Sequence, residues 1–286
     1  MRASPQREPS GEFPELLASD VICGGEELLF RNPHGERFGE RDAWCLSEEW
    51  FSIDDIRPAY ANLAAKESRL GAKHPFAWNE QFGYLSPFPE HCGTGLLIRA
   101  DLHLEGLNLI GDMSPVLNAL EAVRFGALGV NMDGLKNAAH IFDVYTNASL
   151  GISEEELLSR AQRIFAELVQ QELNARIRLV RELPRTFADS VSRALAILKT
   201  CRLLSPWEYL DIMSPIRLAA IMGFLEGIDR AEADSILRKQ LAARDDLPND
   251  PDGDRMRDER DADLADIANR RFSRVRWNRR AKEYFT

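Results

Sequence analysis

The sequence predicts an α+β protein, a largely antiparallel sheet covered by long helices. Three observations predict it. Leu96, Ile98, Ala100, Leu102 and Leu104 alternate with Leu97, Arg99, Asp101 and His103, the period-two pattern of a half-buried strand. Ile152-Ser-Glu-Glu-Glu-Leu157 holds a capping box (Ser153 with Glu156) and a hydrophobic staple (Ile152 with Leu157). The helix it opens carries Leu157, Ala161, Ile164, Leu168, Ile177 and Val180 and stops before Pro184. About 30 residues make it roughly 45 Å long, enough to cross a sheet face. Finally, strands come first and helices after them, which is the order of an α+β chain.

Residues 1–14 are rich in Pro, Ser, Arg and Glu, the composition of a disordered N-terminus. Short strands are expected at Val21-Ile22, Leu28-Leu-Phe30 and Ala43-Trp-Cys-Leu46, parted by Gly24-Gly25 and Asn32-Pro-His-Gly35. A helix from near Asp55 to Leu70 tolerates Pro58 in its first turn. After the strand at 96–104, Ser114-Pro115 predicts a helix to about Leu128. A short strand around Gly129-Val-Asn131, a loop at Asp133-Gly134 and a strand from His140 to Thr146 follow. Three more helices are expected beyond the long one. Ser205-Pro206, with Glu208 completing a capping box, opens one, and Ser214-Pro215 opens another.

The last forty residues change character. Asp245, Asp246, Asp250, Asp252, Asp254, Asp258, Asp261, Asp263 and Asp266 are followed by Arg270, Arg271, Arg274, Arg276, Arg279, Arg280 and Lys282. Residues 245–286 therefore read as a charged C-terminal arm with a solvated face, and removing 270–286 is expected to leave the fold intact.

A chain of 286 residues with 44% apolar residues can bury a large core. Its net charge of −10 and pI near 5.2 argue against nucleic acid or an anionic membrane as partner. No apolar run approaches a membrane span, and Met1-Arg-Ala-Ser-Pro-Gln-Arg7 is not of the signal-peptide kind. Cys23, Cys45, Cys92 and Cys201 are widely spaced, so neither zinc nor a disulfide framework is expected and a reducing cytoplasm is.

Two turn-rich clusters lead into the strand at 96: Gly83, and Pro87 and Pro89 through Gly93 and Gly95. Gly93-Thr-Gly95 reads as an ordinary turn, or as one whose backbone N–H groups come close to an anion. The wider wording resembles the ATP:guanido phosphotransferases (phosphagen kinases), closest to their bacterial branch, the protein-arginine kinases. It runs through Asn79-Glu-Gln-Phe-Gly-Tyr-Leu85, a proline-containing loop, Gly93-Thr-Gly-Leu96 and His103-Leu104. It continues through Ile141-Phe142, Ser149-Leu-Gly151, Arg193-Ala-Leu-Ala-Ile-Leu198, Cys201-Arg-Leu-Leu204 and Ser214-Pro-Ile-Arg-Leu218. The resemblance implies that family's catalytic-domain fold (glutamine-synthetase/guanido-kinase-like) over 15–244. It also implies an N-terminally shortened domain, since no Arg-rich strand of the Ser-Ser-Arg-x-Arg type is found.

Phosphoryl transfer from ATP to a guanidinium needs in-line placement, Mg²⁺, several arginines and a carboxylate on the guanidinium. The family's Asn-Glu-Glu-Asp-His motif supplies the acids, and counting back from Asn79 puts Gly39-Glu-Arg-Asp-Ala43 there. Glu40 and Asp42 then match as catalytic acids, while Arg41 and Ala43 depart from the motif. Cys45 stands for an Arg, and Phe88 for the family's Cys, with Cys92 four residues on. In Gly-Thr-Gly-Leu-Arg the Arg becomes Leu97. Arg99, about 7 Å further along the same face, either reaches the phosphates or pairs with Asp101. His103 matches a nucleotide-side His or is structural. The family's Val-Arg-Gly loop becomes Val130-Asn-Met132. Near the C-terminus Glu259-Arg260-Asp261 match the phosphoarginine-reading pocket, but Asp263-Leu264 replace its Arg-Arg.

These substitutions lead us to expect a degenerate, inactive relative acting as a binding or regulatory module, with a protein partner or a paralogous arginine kinase. Nucleotide contact falls to Gly93, Thr94, Gly95, Arg99 and His103, and phosphoarginine contact to Arg260 and Asp261. No cofactor is expected, save weakly held Mg-ATP if the nucleotide site survives. The alternatives are an active protein-arginine or guanidino kinase using Arg99, Arg41 and Arg124, and a phosphoarginine-binding or oligomerisation protein working through its C-terminal arm.

Overall fold

The computed structural model describes residues 27–33, 44–50, 56–72, 76–85, 92–129, 138–147, 150–242 and 254–285. It is α+β, as expected, and divides into two compact units at Arg176/Ile177. The sequence reading drew one domain over 15–244 and an arm beyond it; the two units divide the chain elsewhere.

The first unit is built on a five-stranded antiparallel sheet. Its strands are β1 (Glu27–Pro33), β2 (Trp44–Trp50), β5 (Leu96–His103), β6 (Phe125–Gly129) and β7 (Ile141–Thr146), in the order β2-β1-β5-β7-β6. Between them lie α1 (Arg57–Gly71), the two-residue strands β3 (Trp78–Asn79) and β4 (Gly83–Tyr84), α2 (Glu105–Leu109) and α3 (Met113–Ala122). Leu96, Ile98, Ala100 and Leu102 on one face of β5 are all buried, as their alternation requires. That face belongs to the core: Phe125 of β6 meets Phe165 edge-on, with centroids 6.1 Å apart. Phe165 lies on α4 (Glu154–Glu182), which Ser153 caps by accepting the Glu156 N–H at 3.2 Å. Leu157, Ala161, Ile164 and Leu168 are buried along α4, as the stripe predicted.

One expectation fails here. The helix starting near Ser114 ends at Ala122 rather than Leu128, and 125–129 is a strand. The break falls at Arg124, which adopts φ 62 without being a glycine. Its carbonyl then accepts the Asn147 N–H at 2.9 Å, tying the turn to the end of β7.

The second unit is helical. It contains α5 (Pro184–Thr200), α6 (Pro206–Ile221), α7 (Arg230–Ala242), α8 (Asp254–Phe272) and α9 (Arg279–Phe285), with a two-stranded ribbon of β8 (Leu225–Glu226) and β9 (Arg276–Trp277). Ser205 caps α6 by accepting the Glu208 N–H at 3.1 Å, as expected. Ser214-Pro215 does not open a new helix, however, because Pro215 lies inside α6. A proline there removes one backbone bond, and α6 persists because packing sustains it, with every residue from Met213 to Ile221 buried. Arg217 is among them, its guanidinium held by Asp234 of α7 at 2.7 Å.

The C-terminal residues are packed rather than a charged arm. Ala265, Ala268, Phe272, Val275 and Ala281 are buried. Phe285 lies 4.9 Å from Phe224, 5.8 Å from Phe187 and 5.3 Å from Trp277, centroid to centroid. Asn278 caps α9 through the Ala281 N–H at 2.8 Å and donates to the Gly223 carbonyl at 2.7 Å. The charges coat one side of elements whose other side is core.

Candidate functional site

The second face of β5 carries Leu97, Arg99, Asp101 and His103. Register with β7 sets Arg99 opposite Tyr145, Asp101 opposite Asp143 and His103 opposite Ile141. Arg99 Nη2 meets Asp143 Oδ2 at 2.8 Å, so its ion pair runs diagonally to the next strand and not along its own strand to Asp101. Diagonal neighbours on adjacent strands lie within reach of a long side chain. Asp101 is 4% exposed. The face therefore engages the Arg99 guanidinium with the Asp143 carboxylate, sets Asp101 opposite that same Asp143, and has Leu97 at the position where the resemblance calls for an arginine.

The Gly93-Thr94-Gly95 turn is occupied by its own structure. Gly93 N–H donates to the Tyr84 carbonyl at 3.1 Å, and Tyr84 N–H donates to the Gly93 carbonyl at 2.8 Å. Thr94 Oγ1 accepts the Leu96 N–H at 3.2 Å. Gly83 has φ 70, and a Cβ there would lie 2.3 Å from the Gly93 oxygen, so only glycine permits this approach. The Gly93 N–H expected at an anion instead closes a clasp with β4. Gly93 and Thr94 line an open cleft of about 270 Å³ with Trp78, Phe82, Tyr84, Leu150 and Glu154, and among the described residues none that lines it is basic.

Two tyrosines beside this cleft donate to carboxylates. Tyr60 of α1 bonds Glu154, and Tyr84 bonds Glu67 at 2.7 Å. Burial first, and the acceptor carboxylate second, push both hydroxyls well above the ordinary tyrosine value near 10. A raised tyrosine pKa gives stability that is whole below about pH 10 and falls progressively as pH rises beyond it toward the higher folded value, because the unfolded state ionises first. We expect the thermal stability gap between wild type and Tyr84→Phe to narrow between about pH 9 and 11. A gap that stays constant across that range would refute the assignment.

His103 is fully buried. Arg176 of α4 donates from Nη2 to the His103 carbonyl at 2.9 Å and lies 3.2 Å from its Nδ1. Arg176 Nε also bonds Glu172 Oε1 at 2.6 Å, and Glu172 accepts the Gly106 and Leu107 N–H groups at 2.8 and 2.9 Å. On the other side, Glu105 Oε2 is 2.5 Å from His140 Nδ1 and 3.8 Å from His103 Nε2. The structure thus places His103 in a buried network rather than on an open face. Sequence reasoning missed Glu172, Arg176, Glu105, His140 and Asp143. Glu172 and Arg176 did leave a signal: they are four residues apart and fall within the apolar stripe of α4, where solvated charges do not belong.

Arg260 Nε bonds the adjacent Asp261 Oδ1 at 3.1 Å, and Asp261 is 8% exposed, its carbonyl accepting the Leu204 N–H at 2.9 Å. This pair lies in the second unit, apart in sequence from the residues on β5. Glu40, Asp42, Arg41, Phe88 and Val130-Asn-Met132 fall outside the described residues.

Residues 51–175 match the model of the ATP:guanido phosphotransferase C-terminal catalytic domain, and residues 184–282 match that of the protein-arginine kinase McsB C-terminal domain. Over these two segments the chain is similar to the ATP:guanido phosphotransferases and to their protein-arginine kinase branch. It is 35% identical over 222 residues to a protein-arginine kinase of Moorella thermoacetica, covering 75% of this chain and 62% of that one. It is 32% identical over 162 residues to one of Clostridium kluyveri, covering 57% and 47%. The chain thus spans roughly half to under two thirds of these relatives' length. A taurocyamine kinase of Schistosoma mansoni superposes on 45% of this chain and 16% of its own, at 16% identity and a TM-score of 0.37. That superposition is loose, and the similarity does not rest on it. No helix among the described residues is long and apolar enough to cross a membrane.

Proposed function

We propose that this chain is a catalytically degenerate protein-arginine-kinase relative that serves as a binding or regulatory module for a protein partner. The observation carrying this reading is the Arg99–Asp143 ion pair beside Leu97. A phosphoryl-transfer face needs several cations aimed at the developing charge, and each lost donor costs about a hundredfold or more in rate. Here the arginine slot holds leucine, and the next arginine on the face is already neutralised. Asp101 opposite Asp143 adds negative charge where a triphosphate would carry about four of its own.

The described residues do not fit a tightly held Mg-ATP, since Asp143 already holds Arg99 and Leu97 offers no charge. Affinity near millimolar is the expected ceiling, about −4 kcal/mol. The purified protein is expected to transfer no phosphate from ATP to arginine or to a protein substrate, and Leu97→Arg alone to restore none. Acid-labile radiolabel above a heat-killed control would overturn this. It would favour an active kinase with relocated arginines, especially if the label vanished in Arg99→Ala.

A further inference from the structure

The second unit contains a cavity of about 510 Å³, within the roughly 300–1,000 Å³ range of small-ligand sites. Its walls come from the end of α5 (Lys199), the β8 turn (Glu226 and Gly227), the segment Ser273-Arg-Val275 and Arg276 of β9. Gly227, at φ 85, brings the two backbones together: a Cβ there would sit 2.9 Å from the Arg274 oxygen.

Charge is what singles this cavity out in a chain of net charge −10. Lys199, Arg274 and Arg276 line it against one carboxylate, Glu226. Two helix C-termini, at Thr200 and Phe272, add about half a negative charge each. About one positive charge is left over. Arg276 Nε does hold Glu226 at 2.8 Å, but side-chain exposures of 72% and 46% make that pair weak and easily opened. The cations reach the cavity from two separate segments, the end of α5 and the stretch 273–276, which suits a ligand with several charged oxygens better than a single carboxylate.

We propose that this cavity is an anion site for a phosphoryl dianion, formed by Lys199, Arg274 and Arg276 and distinct in its residues from Arg260 and Asp261. It stands whether or not phosphotransfer survives on the sheet face.

The test is a calorimetric titration of the full chain with sodium phosphate at constant ionic strength. Saturable binding in the millimolar range is expected. Lys199→Ser with Arg274→Ser should weaken it about tenfold or more, since charge-assisted bonds are the strong ones, without changing the melting temperature. Glu226→Gln should tighten binding, because it removes the opposing carboxylate and frees Arg276; a merely structural role for these residues would not do so. A phosphoserine peptide binding more tightly than inorganic phosphate, with its unphosphorylated form inert, identifies a phosphorylated polypeptide as the source; equal affinity identifies free phosphate. No saturation by about 20 mM, a double variant with unchanged affinity, or weaker binding in Glu226→Gln would overturn the proposal.

Discussion

Removing residues 270–286 is expected to unfold the second unit, not merely trim it. The deletion takes away Phe272 and Val275, both fully buried, together with Trp277, Tyr284 and Phe285. Phe285 alone touches Phe187 of α5 and Phe224, and Phe272 stands edge-on to Tyr209 at 6.5 Å. A single buried Phe→Ala change typically costs about 3–5 kcal/mol, which is much of the stability of an ordinary domain. Phe272→Ala should therefore lower the melting temperature by more than about 10 °C, and the truncated chain should show no cooperative transition for this unit. A truncated chain that melts within about 2 °C of the full one would restore the reading of a dispensable charged arm.

The second large effect is expected at Arg176. Replacing it by methionine keeps the stem's packing but leaves Glu172 buried with only two backbone N–H donors. Breaking one side of a buried pair costs about 3–5 kcal/mol, because the surviving charge is uncompensated. Burial already pushes the Glu172 carboxyl up, while Arg176 and the two N–H groups pull it down. Without Arg176 it rises further above its unfolded value. The folded variant then takes up a proton as pH falls, so its deficit should shrink toward acid. Arg176→Met with Glu172→Gln should recover part of the loss at neutral pH, since no buried charge remains. Denaturant titrations at about pH 5 and 8 decide this, and a deficit independent of pH would count against the buried-charge account.

Periodicity made β5 and α4 legible: alternate burial and a stripe with a serine cap are local signals, and the chain follows them. The turn at Val123-Arg124 was not legible, because it contains neither glycine nor proline and Phe125-Gly-Ala-Leu128 extends the helical apolar pattern. Ser214-Pro215 carries the wording of a helix start, yet the buried surroundings of α6 override it. In α8, Ala265, Ala268 and Phe272 keep the three-and-four spacing of a packed face beneath a composition dominated by charge. The site was legible only along single strands. Leu97 and Arg99 are visible in β5, whereas Asp143 meets Arg99 only through the register of two strands some forty residues apart in sequence. No local rule encodes that register.

The back-to-back approach of Gly83 and Gly93 has a consequence for engineering. The two hydrogen bonds between Tyr84 and Gly93 staple the chain on either side of residues 85–92. A reciprocal clasp of this kind fixes the separation of its two ends, so Gly83 and Gly93 act as one joint in any redesign of the cleft they border. A single methyl group at residue 83 would meet the Gly93 carbonyl head-on, so such a redesign must keep glycine there.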